Sequence, residues 1–435
     1  MKTSLKLFLT FLCGSILLNL PLPSNLAQIH FQPATRAGAA GASLTAASSA
    51  VISIWGGARD TIALRSDGSV WTWGINDCVL GSGNCGKLGD GTTLERHLPT
   101  RVHGPGNVGF LDSISAIMAG EHTNYALKSD GTLWAWGGNF AGQLGDGTYI
   151  NSVTPVQVSG LSSVKSLGGR GYHTLAVKTD GTVWAWGWNK YGELGHDTSG
   201  SPCLYGIPGT CSNVPLLVSG VNNPLMVTGG GFFNLALMPD HSLLGWGRNN
   251  HGELGDGTFT ERPAPVPVNS VLANVEYVSA GWFHAVALTT DKKVWTWGNN
   301  TSGEIGTGST STTGVNLPVQ VPGLANVKTV SAGDGFTAAL KADGTVWTWG
   351  GNAFGQLGDG TFTDRPSPAQ VAGLENVVYL AARDYHVIVI KADGSVWCWG
   401  SNENGECGDN TVTDRTRPVQ TLFLDQSLFL PLITR

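Results

Sequence analysis

The chain has 435 residues, of which 13% are charged, 62 are glycine and 16 are tryptophan, and its formal net charge is −6. Disordered chains combine high charge with few aromatic residues, and collagen needs glycine at every third position, so this composition excludes both classes. An acidic chain without a basic run also makes a nucleic-acid partner a poor hypothesis.

The N-terminal residues 1–27 have the pattern of a secretory signal peptide. Two lysines precede an apolar run that ends in small residues near Ala27, and the run is too short to predict a membrane span. Cys13 suggests a lipoprotein as the alternative, but the preceding Leu12 is large for that cleavage. We therefore expect a secreted or cell-surface protein. Residues 28–50 are rich in Ala, Ser and Gly, which predicts a flexible lead-in.

A sequence unit of about 50 residues then recurs seven times. The intervals between its Trp-Gly landmarks are 63, 50, 60, 51, 52 and 50 residues, so two copies carry insertions. A fixed period of this length is typical of propellers and solenoids. The landmark tryptophans are Trp73, Trp136, Trp186, Trp246, Trp297, Trp349 and Trp399.

The best-preserved copy predicts two short strands joined by a tight turn. Phe336–Lys341 and Thr345–Trp349 are apolar and β-rich, and Asp343-Gly344 separates them. Asp-Gly between such runs predicts a type I′ hairpin, in which both central residues have positive φ. Trp347 and Trp349 are two residues apart and share one face of the strand. Because this tryptophan pair recurs in the other copies, we interpret it as packing between repeats.

The rest of the copy predicts a turn and a fourth strand. Residues 355–361 form a glycine-rich turn, and the Ala369–Val371 segment follows as a strand, as do Pro155–Val158 and Pro318–Val321 in other copies. Four strands per copy cannot bury their faces as separate sheets, but they can when the sheets are stacked around an axis. The sequence thus predicts an all-β fold, a seven-bladed β-propeller of four-stranded antiparallel blades, over residues 51–424.

Six cysteines remain after removal of the signal peptide, and they fall into three local pairs. Such pairs in an exported chain predict short-loop disulfides, with six buried thiols as the alternative. Whether the third pair bonds stays open, because its positions hold ordinary small or apolar residues in other copies. No CxxC spacing suggests zinc. The pairs are Cys78 with Cys85, Cys203 with Cys211, and Cys398 with Cys407.

Motifs that could indicate catalysis or a cofactor are weak. Residues 81–87 match glycine-rich phosphate-loop patterns, but no strand and helix flank them as phosphate binding requires. The repeated Asp-Gly-Thr is explained by turn chemistry without calcium. His173, His284 and His386 occupy one repeated position, and repetition favours a structural hydrogen-bonding role over a catalytic one. We expect no enzyme activity, no metal and no cofactor.

The repeat itself resembles a known family. In order, it contains a small residue and Gly, His-Thr-x-Ala-Leu-Lys, Asp-Gly-Thr-Val-Trp-x-Trp-Gly, Asn-x-x-Gly-Gln-Leu-Gly and Pro-x-x-Val. This pattern is similar to the regulator of chromosome condensation repeat over about residues 51–424. The resemblance implies a seven-bladed propeller. The family's founder exchanges guanine nucleotide on a small GTPase and binds chromatin, but this chain has an export signal and no basic tail. A secreted β-lactamase inhibitor protein built on the same repeat is the nearer analogy, because it binds another protein through one propeller face.

The positions that vary between copies lie where each repeat turns into its second predicted strand. Because these turns gather at one end of a propeller, we expect a ring of aromatic and charged residues around the axis, joined by Phe233 and Phe336 one position later. Large apolar side chains flanked by charge suit a protein-binding hot spot; the alternative is that the rings fold inward and plug the channel. The predicted partner-binding residues are Arg59, Glu121, His122, Tyr172, Phe232, Trp282, Phe283, Asp334, Asp384 and Tyr385.

The functional hypothesis is an exported, non-catalytic, monomeric propeller that binds an extracellular or cell-surface protein. Glycan binding or glycan hydrolysis through the same rings is the alternative, and guanine-nucleotide exchange is a weaker one. The apolar residues 425–435 predict either a sorting or surface-retention tag or a strand packed on the propeller.

Overall fold

The computed structural model describes residues 49–77, 85–196, 201–203 and 208–423. Each repeat forms one antiparallel sheet whose strands follow chain order from the axis outward, and these ranges contain seven such sheets. The prediction of a seven-bladed β-propeller with four-stranded blades is confirmed. The third sheet carries a fifth, two-residue strand at its outer edge.

The described residues form 29 strands, which we number in chain order. Blade 1 comprises β1 Val51–Gly56, β2 Asp60–Arg65, β3 Val70–Gly74 and β4 Arg96–Arg101. Blade 2 comprises β5 Ile114–Ala119, β6 Thr123–Lys128, β7 Leu133–Gly137 and β8 Ser152–Gln157. Blade 3 comprises β9 Val164–Arg170, β10 His173–Lys178, β11 Thr182–Asn189, β12 Ser201–Pro202 and β13 Thr210–Asn222. Blade 4 comprises β14 Met226–Gly229, β15 Phe233–Leu237, β16 Leu243–Gly247 and β17 Arg262–Pro267. Blade 5 comprises β18 Val275–Ala280, β19 His284–Thr289, β20 Val294–Asn300 and β21 Ser311–Gln320. Blade 6 comprises β22 Val327–Ala332, β23 Phe336–Lys341, β24 Val346–Gly350 and β25 Arg365–Gln370. Blade 7 comprises β26 Val377–Arg383, β27 His386–Lys391, β28 Val396–Gly400 and β29 Arg415–Gln420.

The ring closes by packing between the first and last blades. The innermost strand of every blade contacts the innermost strand of the next, and β26 contacts β1. All strands of blade 1 come from one end of the described chain and all strands of blade 7 from the other. Packing of side chains between these two blades and a hydrogen bond from the Asn410 N–H to the His97 carbonyl at 3.1 Å therefore hold the ring together, with no strand exchanged between them in the described residues.

The landmark tryptophans form the junctions between blades. Each is fully buried, and each indole N–H donates to a backbone carbonyl in the glycine-rich turn of the preceding blade. The first tryptophan of five pairs instead donates to the Thr or Ser of its own Asp-Gly turn. The interpretation of this pair as packing between repeats is confirmed for the second member. The junctions are Trp73 to Glu406, Trp136 to Lys87, Trp186 to Gln143, Trp246 to Glu193, Trp297 to Glu253, Trp349 to Glu304 and Trp399 to Gln356.

The prediction of type I′ hairpins is wrong. Of the Asp343-Gly344 pair, only Gly344 has positive φ, at +80°, and its N–H bonds the Lys341 carbonyl at 3.0 Å. The Asp343 carboxylate accepts the Thr345 N–H and hydroxyl. This aspartate turn selects a three-residue loop, a type I turn followed by a glycine bulge.

The outer strands begin earlier than predicted. The sequence predicts a strand at Ala369–Val371, whereas the strand is Arg365–Gln370. Arg365 pairs with Gly350 across the sheet and binds Asp359 of the glycine-rich turn. Because this ion pair fixes the turn to the start of the strand, pairing begins at the arginine.

Two of the three predicted disulfides lie within the described residues. Cys203 bonds Cys211 and Cys398 bonds Cys407, with Cα separations of 5.0 and 5.1 Å. The predicted pair of Cys78 with Cys85 cannot be compared, since Cys78 lies outside the described residues, as do the proposed signal peptide and the tail after Phe423. Nowhere in the described ranges is there a helix of the length and apolarity that crossing a bilayer requires.

Candidate functional site

The connection between the first and second strand of each blade is a tight turn at one end of the axis. In five blades the N–H before the turn bonds the carbonyl three residues later, as from Gly281 to His284 and from Gly333 to Phe336. Only two residues lie between these partners, and neither takes part in the sheet ladder. Their side chains therefore project from the end of the propeller. We call these connections the axial turns.

The axial turns surround a single cavity of about 380 Å³, which we call the axial pocket. Phe232 does not line the pocket but packs behind Tyr172 and Trp282, with ring centroids 6.2 and 5.5 Å away. The structure thus brings the predicted partner-binding residues together, and their role in binding stays a prediction. The predicted residues that line the pocket are Arg59, Glu121, His122, Tyr172, Trp282, Phe283, Asp334, Asp384 and Tyr385.

Three aromatic side chains from blades 3 and 5, Tyr172, Trp282 and Phe283, line one side of the pocket, and Phe232 of blade 4 packs behind Tyr172 and Trp282. We call these four rings the aromatic wall. All are half-buried. Trp282 meets Phe232 at an interplanar angle of 81° and Phe283 at 89°. Phe233 and Phe336, which we expected to join the ring, are fully buried. That expectation is wrong, because they begin the second strands and point into the blade core.

A second set of aromatic residues supports the wall, and the sequence did not predict it. Trp188 packs on Tyr172 and Phe232 at 5.4 and 5.3 Å, and Tyr191 packs on Phe232 at 5.7 Å. Trp188 and the buried Asn189 are the last residues of β11, and Tyr191 follows in the connection to the fourth strand. The variable positions beside this asparagine were the available signal. The Cys203–Cys211 disulfide of the blade 3 insertion lies in the same cluster. The remaining supports of the wall are Phe140, which packs on Tyr172, and His251, which packs on Phe283, while Phe354 packs on Tyr385 of the pocket lining.

Two arginines close the axial channel below the pocket. Arg170, 2% exposed, crosses from blade 3 to blades 6 and 7, where it donates to the Ala332 and Gly333 carbonyls and to Asp384 Oδ1 at 3.0 Å. Arg383 reaches back from blade 7 to the Gly169 carbonyl. The channel is therefore closed by arginine side chains, and the aromatic rings line the pocket above them.

These arginines were not predicted either, although the sequence contained a signal. They occupy the position that is glycine in the other five blades, namely Gly57, Gly120, Gly230, Gly281 and Gly333. At Gly57 an added Cβ would lie 2.2 Å from Asp60 Oδ1. The position is crowded, and the repeat accepts a long side chain there only where it can extend across the axis.

The carboxyl groups of the pocket differ in their partners. Burial alone would raise the pKa of Asp384, but the charge and hydrogen bond of Arg170, together with the charge of Lys87, hold this pKa below its ordinary value. Burial, with Asp384 adding to it, raises the pKa of Glu121 well above its ordinary value, and burial also raises that of Asp334. Among the described residues, Glu121 Oε2 is buried without a hydrogen-bond partner. Two carboxyl groups of the pocket are thus short of compensating charge.

The repeated histidines connect neighbouring blades. His173 bonds Asn234 at 2.7 Å, His284 bonds Thr337 at 3.0 Å and His386 bonds Thr61 at 3.4 Å, each through Nε2. The predicted structural role is confirmed. Burial lowers the pKa of His173 and His386 to about 4 and that of His284 to about 3.

We expect these three histidines to remain neutral in the folded protein at pH 5.5. Because their pKa is lower folded than unfolded, their contribution to stability falls as the pH drops from about 6.5 toward 4. Their ring resonances in NMR should not shift between pH 8 and 5.5. Since buried carboxyl groups titrate as well, the stability effect is isolated by comparison with His284→Gln, which should flatten the acid slope. Ring shifts with a midpoint near 6.5 would contradict the prediction.

No group of three or more His, Cys, Asp or Glu residues suited to a metal ion occurs in the part of the chain that the structure describes.

The chain is similar in sequence to proteins that contain a known repeat. The model for the regulator of chromosome condensation (RCC1) repeat matches residues 130–177, 180–237, 240–288, 291–340, 343–390 and 393–429, and a second model of the repeat matches residues 114–143 and three later stretches. The mitochondrial RCC1 domain-containing protein RUG3 of Arabidopsis thaliana is 31% identical over 68% of this chain and 64% of its own length. The ultraviolet-B receptor UVR8 of the same plant is 30% identical over 74% of this chain and 70% of its own.

Larger relatives and solved structures share the repeat or the fold. The human E3 ubiquitin-protein ligase HERC2 is 28% identical over 71% of this chain, which is 6% of the ligase. The crystal structure of Prp20p from Saccharomyces cerevisiae, described with its binding properties to Gsp1p and histones, superposes with a TM-score of 0.69 at 20% identity, covering 84% of this chain and 88% of Prp20p. Human WBSCR16 superposes with a TM-score of 0.66 at 20% identity, over 80% and 89% of the two chains.

Proposed function

The chain belongs to the regulator of chromosome condensation repeat family, and on that premise we propose that it is a non-catalytic module that binds a protein partner at the axial pocket. The observation that carries the proposal is the convergence of half-buried aromatic rings and charged side chains from successive blades on one cavity. Partly exposed tryptophan, tyrosine and arginine at the centre of a concave surface are typical of binding hot spots. Prp20p, which has this fold, is described with binding to Gsp1p and histones.

The arrangement of the rings favours a protein over a glycan. Trp282 stands nearly perpendicular to both Phe232 and Phe283, and Arg170 lies 5.7 Å from its ring centroid. Rings that stand at right angles to one another do not form the flat, extended platform on which a sugar ring stacks. A glycan partner would be seen as binding on a glycan array that is lost with Trp282.

Export is part of the proposal. The two disulfides of the described residues support it, because structural disulfides persist in oxidising compartments. Fusing residues 1–27 to a reporter enzyme should send the reporter out of the cell. Retention of the reporter in the cytosol would contradict export and leave the binding proposal intact.

The binding test is capture from the native extracellular mixture by the immobilised mature chain. Trp282→Ala with Phe283→Ala should reduce capture of the specific partner at least about tenfold, since hot-spot truncations cost about 2 kcal/mol or more. The matched control is Phe259→Ala with Phe362→Ala, which removes two phenylalanines that are 46% and 58% exposed on other loops and should leave capture unchanged. A large fall in Tm with unchanged capture would show that Trp282 and Phe283 are core residues.

A further inference from the structure

The pocket lining carries an excess of carboxyl groups. Among the lining residues, Asp77, Glu121, Asp334 and Asp384 are acidic and only Arg59 is basic. Asp384 is paired with Arg170 at 3.0 Å. Within the described residues Glu121 and Asp334 have no basic group within ion-pair distance, although Lys87 donates to the Glu121 backbone carbonyl at 2.7 Å. These two carboxyl groups therefore lack an ion-pair partner, and a cationic ligand would supply one.

Glu121 is the more informative of the two. Its Oε2 atom is buried and accepts no hydrogen bond from the residues that the structure describes. A buried acceptor without a donor costs free energy, and a ligand that supplies the donor recovers it. The missing element at this position is a hydrogen-bond donor, preferably one with positive charge.

The walls favour a cation as well. Tyr172, Trp282, Phe283 and Tyr385 line the pocket, and the face of an aromatic ring attracts a cation through its quadrupole. The aromatic wall already contacts two guanidinium groups: Arg248 lies 4.5 Å from the Phe283 centroid and Arg170 lies 5.7 Å from the Trp282 centroid. A guanidinium arriving from the pocket side would meet the same kind of surface.

Size and shape distinguish a guanidinium from a simple ion. A cavity of about 380 Å³ is at the small end of the range for organic ligands, about 300–1,000 Å³, and is far larger than a bare cation needs. The planar guanidinium presents five donors in a fixed fork and stacks on aromatic rings. It can therefore donate to Glu121 and Asp334 and lie against Trp282 at the same time.

We propose that the axial pocket receives an arginine side chain presented by the protein partner. The identity of the ligand as part of a partner rests on the proposed function. The chemistry of the pocket is independent of it and is testable with a small probe.

The probe is N-acetyl-arginine methylamide, titrated into the mature chain while the indole resonance of Trp282 is followed by NMR. Assignment comes from the signal lost in Trp282→Phe. The neutral isostere, N-acetyl-citrulline methylamide, should bind at least about tenfold more weakly, because a charge-assisted hydrogen bond contributes about 1.5–3 kcal/mol. Glu121→Gln should weaken binding of the arginine probe by a similar factor. The control Glu375→Gln changes an exposed glutamate in the connection between blades 6 and 7 and should change nothing.

Several outcomes would overturn the inference: no saturable shift of the Trp282 resonance, equal binding of arginine and citrulline, or tighter binding of N-acetyl-lysine methylamide. If Glu121→Gln fails to fold, Asp334→Asn provides the same comparison. The two proposals fail separately. Capture of a protein that depends on Trp282 without discrimination between the two probes would remove the arginine inference alone. Arginine-selective binding without any Trp282-dependent capture would remove the protein-binding proposal alone.

Discussion

Replacing Arg170 with alanine is expected to lower the free energy of unfolding by about 3–5 kcal/mol, the cost of removing one member of a buried ion pair. Arg170 is 2% exposed and binds Asp384 as well as two carbonyls of blade 6. Without it, Asp384 is left as a buried carboxylate beside Glu121, and three blades lose a connection across the axis. Urea denaturation followed by tryptophan fluorescence measures the effect.

The control for Arg170→Ala is a surface pair of the same chemistry. Arg365 binds Asp359, with side chains that are 25% and 21% exposed, and Arg365→Ala should cost at most about 1 kcal/mol. The double change of Arg170 to methionine and Asp384 to asparagine should recover much of the loss, because no buried charge is left unpaired and asparagine tolerates the positive φ of this position. If Arg170→Ala cost no more than Arg365→Ala, the cross-axis role of Arg170 would be wrong.

The fold could be predicted from the sequence because the residue pattern within each repeat indicates the strands and turns of that repeat. The second strand at Phe336–Lys341 was predicted to the residue, and the repeated tryptophan pair indicated how neighbouring blades pack. The turn type failed at Asp343-Gly344 because the dipeptide was interpreted alone. The aspartate side chain that caps Thr345 decides the loop length, and loop length decides the turn.

The pocket residues that follow the repeat period could be predicted from the sequence. Contacts made by long side chains with residues distant in the sequence could not. Equivalent turns of a propeller converge on the axis, so residues such as Tyr172 and Trp282 could be placed together from their repeat position. Arg170 acts on residues 162 to 214 positions away, and no local pattern shows where a long side chain ends. The supporting rings Trp188 and Tyr191 lie at and just after the end of β11, and only the packing of blade 3 against blade 4 brings them to Phe232.

The second large loss of stability is expected at the junction between blades 1 and 7, which closes the ring. Trp73 is fully buried and donates its indole N–H to the Glu406 carbonyl of blade 7 at 2.7 Å, while Phe423 packs on its ring at 5.6 Å. Trp73→Ala should cost about 3–5 kcal/mol, as expected for a buried tryptophan in a core that collapses only partly. Hydrogen exchange measured by mass spectrometry should accelerate throughout blades 1 and 7.

The matched comparison is Trp246→Ala at the junction between blades 3 and 4. Trp246 is equally buried and makes the equivalent bond to the Glu193 carbonyl at 3.0 Å, so the side chain lost is the same. The short segment between β13 and β14 still joins those two blades covalently, and a separated pair closes again quickly because its loop is short. Blades 1 and 7 have no such link, so opening there is more favourable and spreads further. If exchange stayed as local in Trp73→Ala as in Trp246→Ala, closure would depend on contacts other than this tryptophan.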